Sequence, residues 1–314
     1  MIGPRSVVVI GNFDGVHPGH AAVLERARAI GGDRPLIVLT FWPHPASVVR
    51  PGAGPRLLTR LQQRIDLLTQ AGADEVRVID FTAELSRQSP AQFVADYLAP
   101  LDPAYVVVGE NFRFGRQAAG DVATRRVLAA GRCEVVGLPL VHRGDEETCS
   151  TAVRKALERG EVRHAGELLG RPFRFIGTVV HGDHRGRELG FPTANLPVPD
   201  ELACPADGVY AGYLTRLDGR DESGAILAAA REPQAWPAAI SVGTNPTFNG
   251  IDSRVESYVI DAIGLDLYGV EVAVDFRERI RGQVRFTGIP DLVAQMRTDV
   301  NQALTLLAEA DEHP

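Results

Sequence analysis

Two histidines three positions apart, His17 and His20, stand where a buried strand meets a helix. Residues 7–10 form a continuous β-branched run, which is typical of a strand covered on both faces. From Pro18 onward, apolar residues recur at helical spacing until two glycines end the pattern. Imidazole donors at the start of a helix stabilise the negative charge that develops when an α-phosphate is attacked. The segment therefore predicts nucleotidyl transfer, with a pair of surface or capping histidines as the alternative.

A second group of reactive side chains lies in the second half of the chain. Glu256 interrupts an apolar strand pattern, at residues 255–260, on the face opposite to its β-branched neighbours. Phosphorylation of an alcohol uses Mg²⁺ to hold the ATP phosphates and a base to take the hydroxyl proton. Thr193 and Asn195 offer two oxygens on one face of an extended chain, as ligands for Mg²⁺ should. A solvent-facing acid and two turn-forming residues are the alternatives that the pattern leaves open.

The bulk composition excludes several classes of protein. The 314-residue chain has a net charge of −7, which argues against a nucleic-acid-binding face. Lys155 is the single lysine among 33 basic residues and follows no glycine-rich loop, so a P-loop is excluded. No apolar run reaches the ~20 residues of a membrane span, and the N-terminus lacks a signal-peptide pattern. Cys133, Cys149 and Cys204 share no metal-ligand spacing, so we expect a cytoplasmic protein without disulfides or zinc.

The first half of the chain alternates strand and helix patterns. The predicted strands are residues 7–10, 36–41, 76–81, 105–108 and 134–138, and the predicted helices are 18–30, 59–71, 121–130 and 150–159, with another starting at Ser89. Such alternation predicts an α/β domain with a doubly wound parallel sheet, whose ligands bind at the carboxyl ends of the strands.

The pattern changes near residue 170, which we take as the boundary between domain 1–170 and domain 171–314. Short strand patterns follow at residues 173–180, 209–217, 238–242, 255–260 and 270–280, and a helix pattern starts at Pro290. Turns rich in glycine, proline and aspartate separate these strands, which predicts a small antiparallel β-barrel with a terminal helix.

Further motifs occur in a fixed order along the chain. In the first half these are GNFDGVHPGH (11–20), TFWPHP (40–45), GENFRFG (109–115) and STAVR (150–154). In the second half they are HGDHRGRELGFPTANL (181–196), DGVYAG (207–212), SVGTNPTF (241–248) and VESYVIDAIGLDLYG (255–269). Together they resemble the bacterial bifunctional riboflavin kinase/FMN adenylyltransferase family, also called FAD synthetase, over nearly the whole chain.

The resemblance implies a role for each motif. It implies that His17 and His20 act at the ATP phosphates, and that Glu256 is the base on the ribityl hydroxyl of riboflavin. It implies Mg²⁺ ligands at Thr193 and Asn195. The candidate nucleotide-binding residues are Gly11, Asn12, Phe13, Asp14, Gly19, Ser150, Thr151, Arg154, Gly182, Asp183 and Arg187. The last three belong to a turn-rich loop that can wrap phosphates, although Asp183 is as typical of a turn. Asn111, Phe112 and Phe114 are the implied flavin-binding residues, although the two phenylalanines are equally typical of a core.

The function we expect is the conversion of riboflavin to FMN in the C-terminal domain and of FMN to FAD in the N-terminal domain, each with ATP. The expected partners are small molecules, the flavoproteins that receive the products and further copies of this chain, with neither nucleic acid nor membrane. A riboflavin kinase with a degenerate adenylyltransferase domain is the first alternative. A non-catalytic flavin-binding protein is the second, and an HxGH transferase acting on pantetheine phosphate or nicotinamide mononucleotide is the third.

Overall fold

The computed structural model divides into two compact units, Met1–Ser150 and Thr151–Pro314. It describes residues 5–110, 112–116, 120, 133–139, 142–143, 146–147, 149–182, 189–219, 234–247, 250–262 and 265–312. Within these ranges, none of the helices combines the length and the apolar character that crossing a membrane requires. The compact units are divided after Ser150 and not at residue 170. The domain boundary at residue 170 therefore stays a prediction.

The first unit contains a five-stranded parallel sheet with the order β3-β2-β1-β4-β5. Its strands are β1 (Ser6–Ile10), β2 (Leu36–Trp42), β3 (Glu75–Asp80), β4 (Pro103–Gly109) and β5 (Glu134–Leu138), followed by the short pair β6 (His142–Arg143) and β7 (Glu146–Glu147). Its helices are α1 (Pro18–Gly31), α2 (Pro45–Val49), α3 (Leu61–Gln70) and α4 (Pro90–Phe93), with short turns at Leu85–Arg87, Val94–Leu98 and Ala99–Leu101. The predicted helix 121–130 lies outside the described residues.

Strand β1 is buried because each of its faces meets a separate hydrophobic cluster. Val8 and Ile10 lie in one cluster with Phe41, and Val7 and Val9 lie in the other with residues of α1. Each fully buried side chain of this size contributes about 1.5–3 kcal/mol to stability. Because apolar residues fill both faces, the strand takes the central position, which confirms the predicted doubly wound sheet.

Two helix starts can be compared with their predictions, and one of them differs. The helix start predicted at Ser89 is present and forms a capping box, since Ser89 Oγ accepts from Gln92 N at 3.2 Å and Gln92 Oε1 accepts from Ser89 N at 2.8 Å. Helix α3 begins two residues later than predicted. Arg64 and Leu68 are completely buried on its inner face, whereas Ile65 is only partly buried.

The second unit is built on a six-stranded antiparallel sheet with the order β8-β13-β10-β11-β12-β9. The strands are β8 (Phe173–Thr178), β9 (Thr193–Pro197), β10 (Gly208–Arg216), β11 (Ala235–Thr247), β12 (Gly250–Val259) and β13 (Glu271–Arg281). A bridge between Val180 and Asn195 joins the two edge strands, so the sheet curls on itself and confirms the predicted barrel. Strand β9 had no counterpart among the predicted strands.

In the described part of the second half, the helices that accompany this barrel are α5 (Ser150–Glu158), α6 (Val162–Leu169) and α7 (Ile289–Glu312). Helix α7 packs over one face of the sheet, where Ala303 and Leu307 contact Ala211. Helix α6 was not predicted, because its eight residues lie next to the composition change near residue 170. It belongs with the barrel because it packs on β8 and β13.

Candidate functional site

The turn that connects β1 to α1 has an unusual backbone. Phe13, Gly15 and Val16 have φ angles of 51°, 84° and 40°, so three of four consecutive residues are left-handed. Such a conformation costs about 1–3 kcal/mol for each non-glycine residue and persists only where the surroundings enforce it. The tertiary contacts of this turn therefore decide its shape.

Asp14 is the residue through which the surroundings hold this turn. Its carboxylate accepts from Leu58 N at 3.1 and 3.0 Å, from Thr59 N at 3.1 Å and from Thr59 Oγ1 at 3.1 Å. It also pairs with Arg64 at 3.3 Å, and the two side chains are 2% and 0% exposed. The carboxylate thus points into the protein, and the nucleotide contact implied for Asp14 stays a prediction. Its burial makes it a support for the turn.

The backbone of the same turn is tied to its neighbours. Gly15 N donates to Thr59 Oγ1 at 3.2 Å, and Asn12 O accepts from Thr40 Oγ1 at 3.0 Å. Gly11 N donates to Leu39 O at 3.1 Å, which extends the β1–β2 ladder by one residue. The turn is therefore anchored both to the end of β2 and to the start of α3.

His17 and His20 lie immediately after this turn with their rings stacked. Their centroids are 3.6 Å apart with an interplanar angle of 23°, and the Phe13 ring meets His20 edge-on at 5.1 Å. His17 is the N-cap of α1, and its carbonyl accepts from the N–H groups of His20 and Ala21. Those two backbone N–H groups are therefore engaged within the helix, and the two imidazoles lie beside them at the helix start.

A Gly11→Ala substitution tests how tightly this arrangement is packed. A Cβ at position 11 would lie 2.8–3.1 Å from the ring of Phe13, which is itself only 3% exposed. The ring must then move away from His20, at a cost of about 1–3 kcal/mol for overpacking. If the paired histidines act in adenylyl transfer, as the family resemblance implies, we expect FAD formation to fall about 10-fold or more, because small displacements of catalytic groups are costly. Riboflavin phosphorylation by the same chain is the internal control, and an unchanged rate of FAD formation would contradict this role of Gly11.

Ser150 lies beside the turn although it is 136 residues away from Asp14 in sequence. Its Oγ donates to Asp14 O at 2.8 Å, which is a contact within the first compact unit. Thr151 is exposed and Arg154 is partly buried on the first turn of α5, in the second compact unit. Their implied contacts with phosphate stay a prediction.

The implied flavin-binding residues lie after the carboxyl end of β4. Phe114 is 5% exposed and packs in the core against Phe93, with ring centroids 5.7 Å apart. Phe112 is partly buried and lies parallel to Phe114, with centroids at 6.3 Å. Of the two, Phe112 is the better placed to contact a ligand, since Phe114 serves the core. Asn111 lies outside the described residues.

In the second unit, strand pairing brings together residues that are far apart in sequence. Asn195 on β9 is the register partner of Glu256 on β12, and Thr193 is the partner of Tyr258. Directly opposite residues of an antiparallel pair share one face, with Cβ atoms about 4.5–5.5 Å apart. Thr193, Asn195 and Glu256 therefore lie on the same face, and Glu256 is partly buried there. On the opposite face of β12, Val255 and Ser257 are fully buried and Val259 is 8% exposed.

The side chain of Asn195 is held firmly at this site. It is 7% exposed, and its Nδ2 donates to Thr193 O at 3.0 Å and to Thr193 Oγ1 at 3.4 Å. A Cβ on Gly182 would lie 2.6–2.7 Å from the Asn195 amide, so only glycine fits at position 182. Asp183 and Arg187, from the same loop, lie outside the described residues.

Sequence reasoning missed Ser241, which pairs with Glu256, and Gln283, which bonds to Ser241. Ser241 on β11 is the other register partner of Glu256. Gln283, after β13, donates from Nε2 to Ser241 Oγ at 3.3 Å and to Val242 O at 2.8 Å. The SVGTNPTF motif was a signal for Ser241, whereas Gln283 has no sequence feature that points to the site.

The donors on this face fit a hard cation. Mg²⁺ prefers oxygen ligands, and the Thr193 hydroxyl and the Asn195 amide supply two of them on adjacent sites of one strand. Among the residues that the structure describes, no cluster of histidine, cysteine, aspartate and glutamate forms a metal site. The oxygens of Thr193 and Asn195 suit a hard cation that also binds phosphate and water.

Comparisons with known proteins cover both units. A family model described as FAD synthetase matches residues 2–152, and one described as riboflavin kinase matches residues 169–307. A protein from Listeria monocytogenes named bifunctional riboflavin kinase/FMN adenylyltransferase is 33% identical over 98% of this chain and 94% of its own. A protein of the same name from Escherichia coli K12 is 34% identical over 93% of this chain and 90% of its own. A crystal structure described as a macrolide-efflux protein from Streptococcus pneumoniae is 31% identical, with a TM-score of 0.81 over 95% of this chain and 93% of that one.

Proposed function

We propose a residue-level mechanism from one premise, that the chain belongs to the bifunctional riboflavin kinase/FMN adenylyltransferase family. It is an enzyme with two activities, since both domain models match and the relatives carry both names. Riboflavin and ATP give FMN and ADP in one reaction, and FMN and a second ATP give FAD and pyrophosphate in the other. The description "macrolide-efflux protein" belongs to the pneumococcal structure, and we do not extend that function to this chain.

His17 and His20 are the proposed catalytic residues of adenylyl transfer. A phosphate oxygen of FMN attacks the α-phosphorus of ATP, and the bond to the pyrophosphate breaks. The attacking phosphate is already ionised, so the reaction needs no general base. The stacked imidazoles after the left-handed turn supply N–H donors to the charge that develops on the phosphate oxygens. Ser150, Thr151 and Arg154 are the proposed second group of phosphate ligands.

Glu256 is the proposed general base of the kinase reaction. It takes the proton from the ribityl hydroxyl as the oxygen attacks the γ-phosphorus, and ADP leaves. Mg²⁺, when bound, neutralises the ATP phosphates and orients them. Thr193 and Asn195 would hold that ion, because their oxygens lie on the same face as Glu256. The pairing of Asn195 with Glu256 is the single observation that carries this assignment.

The bifunctional reading is tested by one chromatographic assay that follows riboflavin, FMN and FAD over time. With riboflavin, ATP and Mg²⁺ we expect FMN to appear first and FAD to accumulate from it. A chain that forms FMN but never FAD would instead be a riboflavin kinase with a degenerate first domain. The tightly packed pair of histidines in the first unit favours the bifunctional enzyme.

A Thr193→Ala substitution tests the proposed metal ligand. Removal of one oxygen donor weakens the cation site, so the Mg²⁺ concentration for half-maximal kinase activity should rise about 10-fold or more, by analogy with measured losses at metal sites. The measurement is a Mg²⁺ titration of FMN formation at saturating ATP. Thr298→Ala on the exposed side of α7 is a matched control. An identical titration in both variants would remove Thr193 as a ligand.

The substrates ATP, riboflavin and FMN are small molecules, in keeping with the family. We further propose that flavoproteins receive the products and that copies of the chain associate. A cytoplasmic location follows from the need for ATP and is proposed on the same basis.

A further inference from the structure

We propose that Arg64 is a positioning residue for adenylyl transfer, which acts by holding the left-handed turn that precedes His17. The proposal rests on the function assigned above to the two stacked histidines. Arg64 lies on α3, far from both rings in sequence, and belongs to none of the motifs in the first half of the chain.

The guanidinium of Arg64 connects three different segments inside the first unit. Nη2 donates to Asp14 Oδ1 at 3.3 Å, Nη1 donates to Phe41 O at 3.3 Å, and Nε approaches Thr59 Oγ1 at 3.5 Å. The guanidinium carbon also lies 5.5 Å from the ring centroid of Trp42. With 0% exposure, Arg64 is the largest side chain to be fully buried among the described residues.

These contacts meet at the turn of residues 13–16, in which three of the four residues have a left-handed backbone. Asp14 lies between the left-handed residues Phe13 and Gly15, and Gly15 N also bonds to Thr59 Oγ1. Arg64 therefore fixes both the side chain and, through Thr59, the backbone of the turn. Phe13 carries this effect to His20 through its edge-on contact at 5.1 Å. A shift of the turn would thus displace the imidazole donors.

Stability alone does not explain why Arg64 and Asp14 form a buried ion pair here. Buried ion pairs stabilise a protein little in comparison with well-packed apolar residues, because desolvation of both charges offsets their attraction. A planar guanidinium offers donors in several fixed directions, whereas a lysine offers one point charge. Arg64 donates in three such directions, because its acceptors on Asp14, Phe41 and Thr59 lie on three separate segments. Conformational specificity of the turn is the effect that we infer.

The test compares two variants with a matched control. Arg64→Met leaves the Asp14 carboxylate buried without its partner, so the double variant Asp14→Asn/Arg64→Met is made alongside to remove both charges. Arg77→Met is the control, since Arg77 forms an exposed ion pair with Glu75 on β3 of the same unit. For each variant, kcat and KM for FAD formation from supplied FMN are measured below the thermal midpoint, per mole of folded protein. Riboflavin phosphorylation by the same chain is recorded in parallel.

We expect kcat for FAD formation to fall about 10-fold or more in the double variant, whereas the KM values for FMN and ATP should stay within about 3-fold. The reason is that misplaced donors weaken transition-state binding more than ground-state binding. Arg64→Lys should recover part of kcat, and Arg77→Met should match the unaltered chain. A folded double variant with unchanged kcat would overturn the proposal, as would a loss that the unfolded fraction fully explains. If His20→Ala retains FAD formation, the histidine assignment itself fails, which distinguishes that failure from a failure of Arg64 alone.

Discussion

The Glu256→Gln variant is expected to lose FMN formation while it still converts supplied FMN to FAD. Glutamine has nearly the same shape as glutamate and keeps the strand register with Asn195 and Ser241. It cannot accept the proton of the ribityl hydroxyl, and loss of a general base costs about 10²–10⁴-fold in rate. The measurement is the initial rate of FMN formation from riboflavin and ATP, with FAD formation from FMN assayed on the same preparation.

The control for this variant is Glu271→Gln. Glu271 is an exposed acid on β13 of the same sheet, and its side chain has no place in the proposed mechanism. We expect both reactions to be unchanged in the control. If Glu256→Gln phosphorylated riboflavin at the original rate, Glu256 would be only a polar residue on the sheet. If it lost both reactions, the two sites would not be independent.

The His20→Ala variant is expected to give the reverse result. The substitution removes one N–H donor, the ring stacked on His17 at 3.6 Å and the edge-on partner of Phe13. Loss of a preorganised donor to a developing charge lowers kcat by about 10²–10³-fold. We therefore expect FAD formation from supplied FMN to fall by at least this factor, while riboflavin phosphorylation continues at its original rate.

A histidine in the second unit provides the control for His20→Ala. His164 forms an i,i+3 pair with Glu167 on α6 and is 37% exposed, so His164→Ala should leave both reactions unchanged. Normal FAD formation by His20→Ala would refute the role of the imidazole pair. It would also favour the alternative in which the first unit no longer catalyses a reaction.

Both reactions use ATP, but the proposed catalytic residues of the two sites are brought together in different ways. His17 and His20 are local in sequence, so one turn and the helix that follows it place them together. Glu256 and Asn195 are 61 positions apart, and strand pairing alone makes them neighbours. Substitutions that loosen the turn are thus expected to impair adenylyl transfer, whereas those that shift the β9–β12 register are expected to impair phosphorylation.

Short-range sequence patterns were enough to predict the fold class of each half of the chain and to propose the local sites. β-branched runs such as residues 7–10 and the capping box at Ser89 are short-range patterns, and the structure has the predicted elements at both places. The histidine pair and the alternation around Glu256 could be identified because spacing along one element fixes which side chains share a face.

Tertiary structure alone decided which distant residues meet. The chain shows no periodicity that would place Asn195 opposite Glu256, because register depends on the whole sheet. Nor does the pattern of α3 reveal that Arg64 is buried, since an arginine on a helix is usually solvated. It is buried because the Asp14 carboxylate, itself turned inward by the backbone of residues 58 and 59, supplies the opposite charge. Such pairing arises only after separate segments have packed, and so it could not be predicted from local spacing.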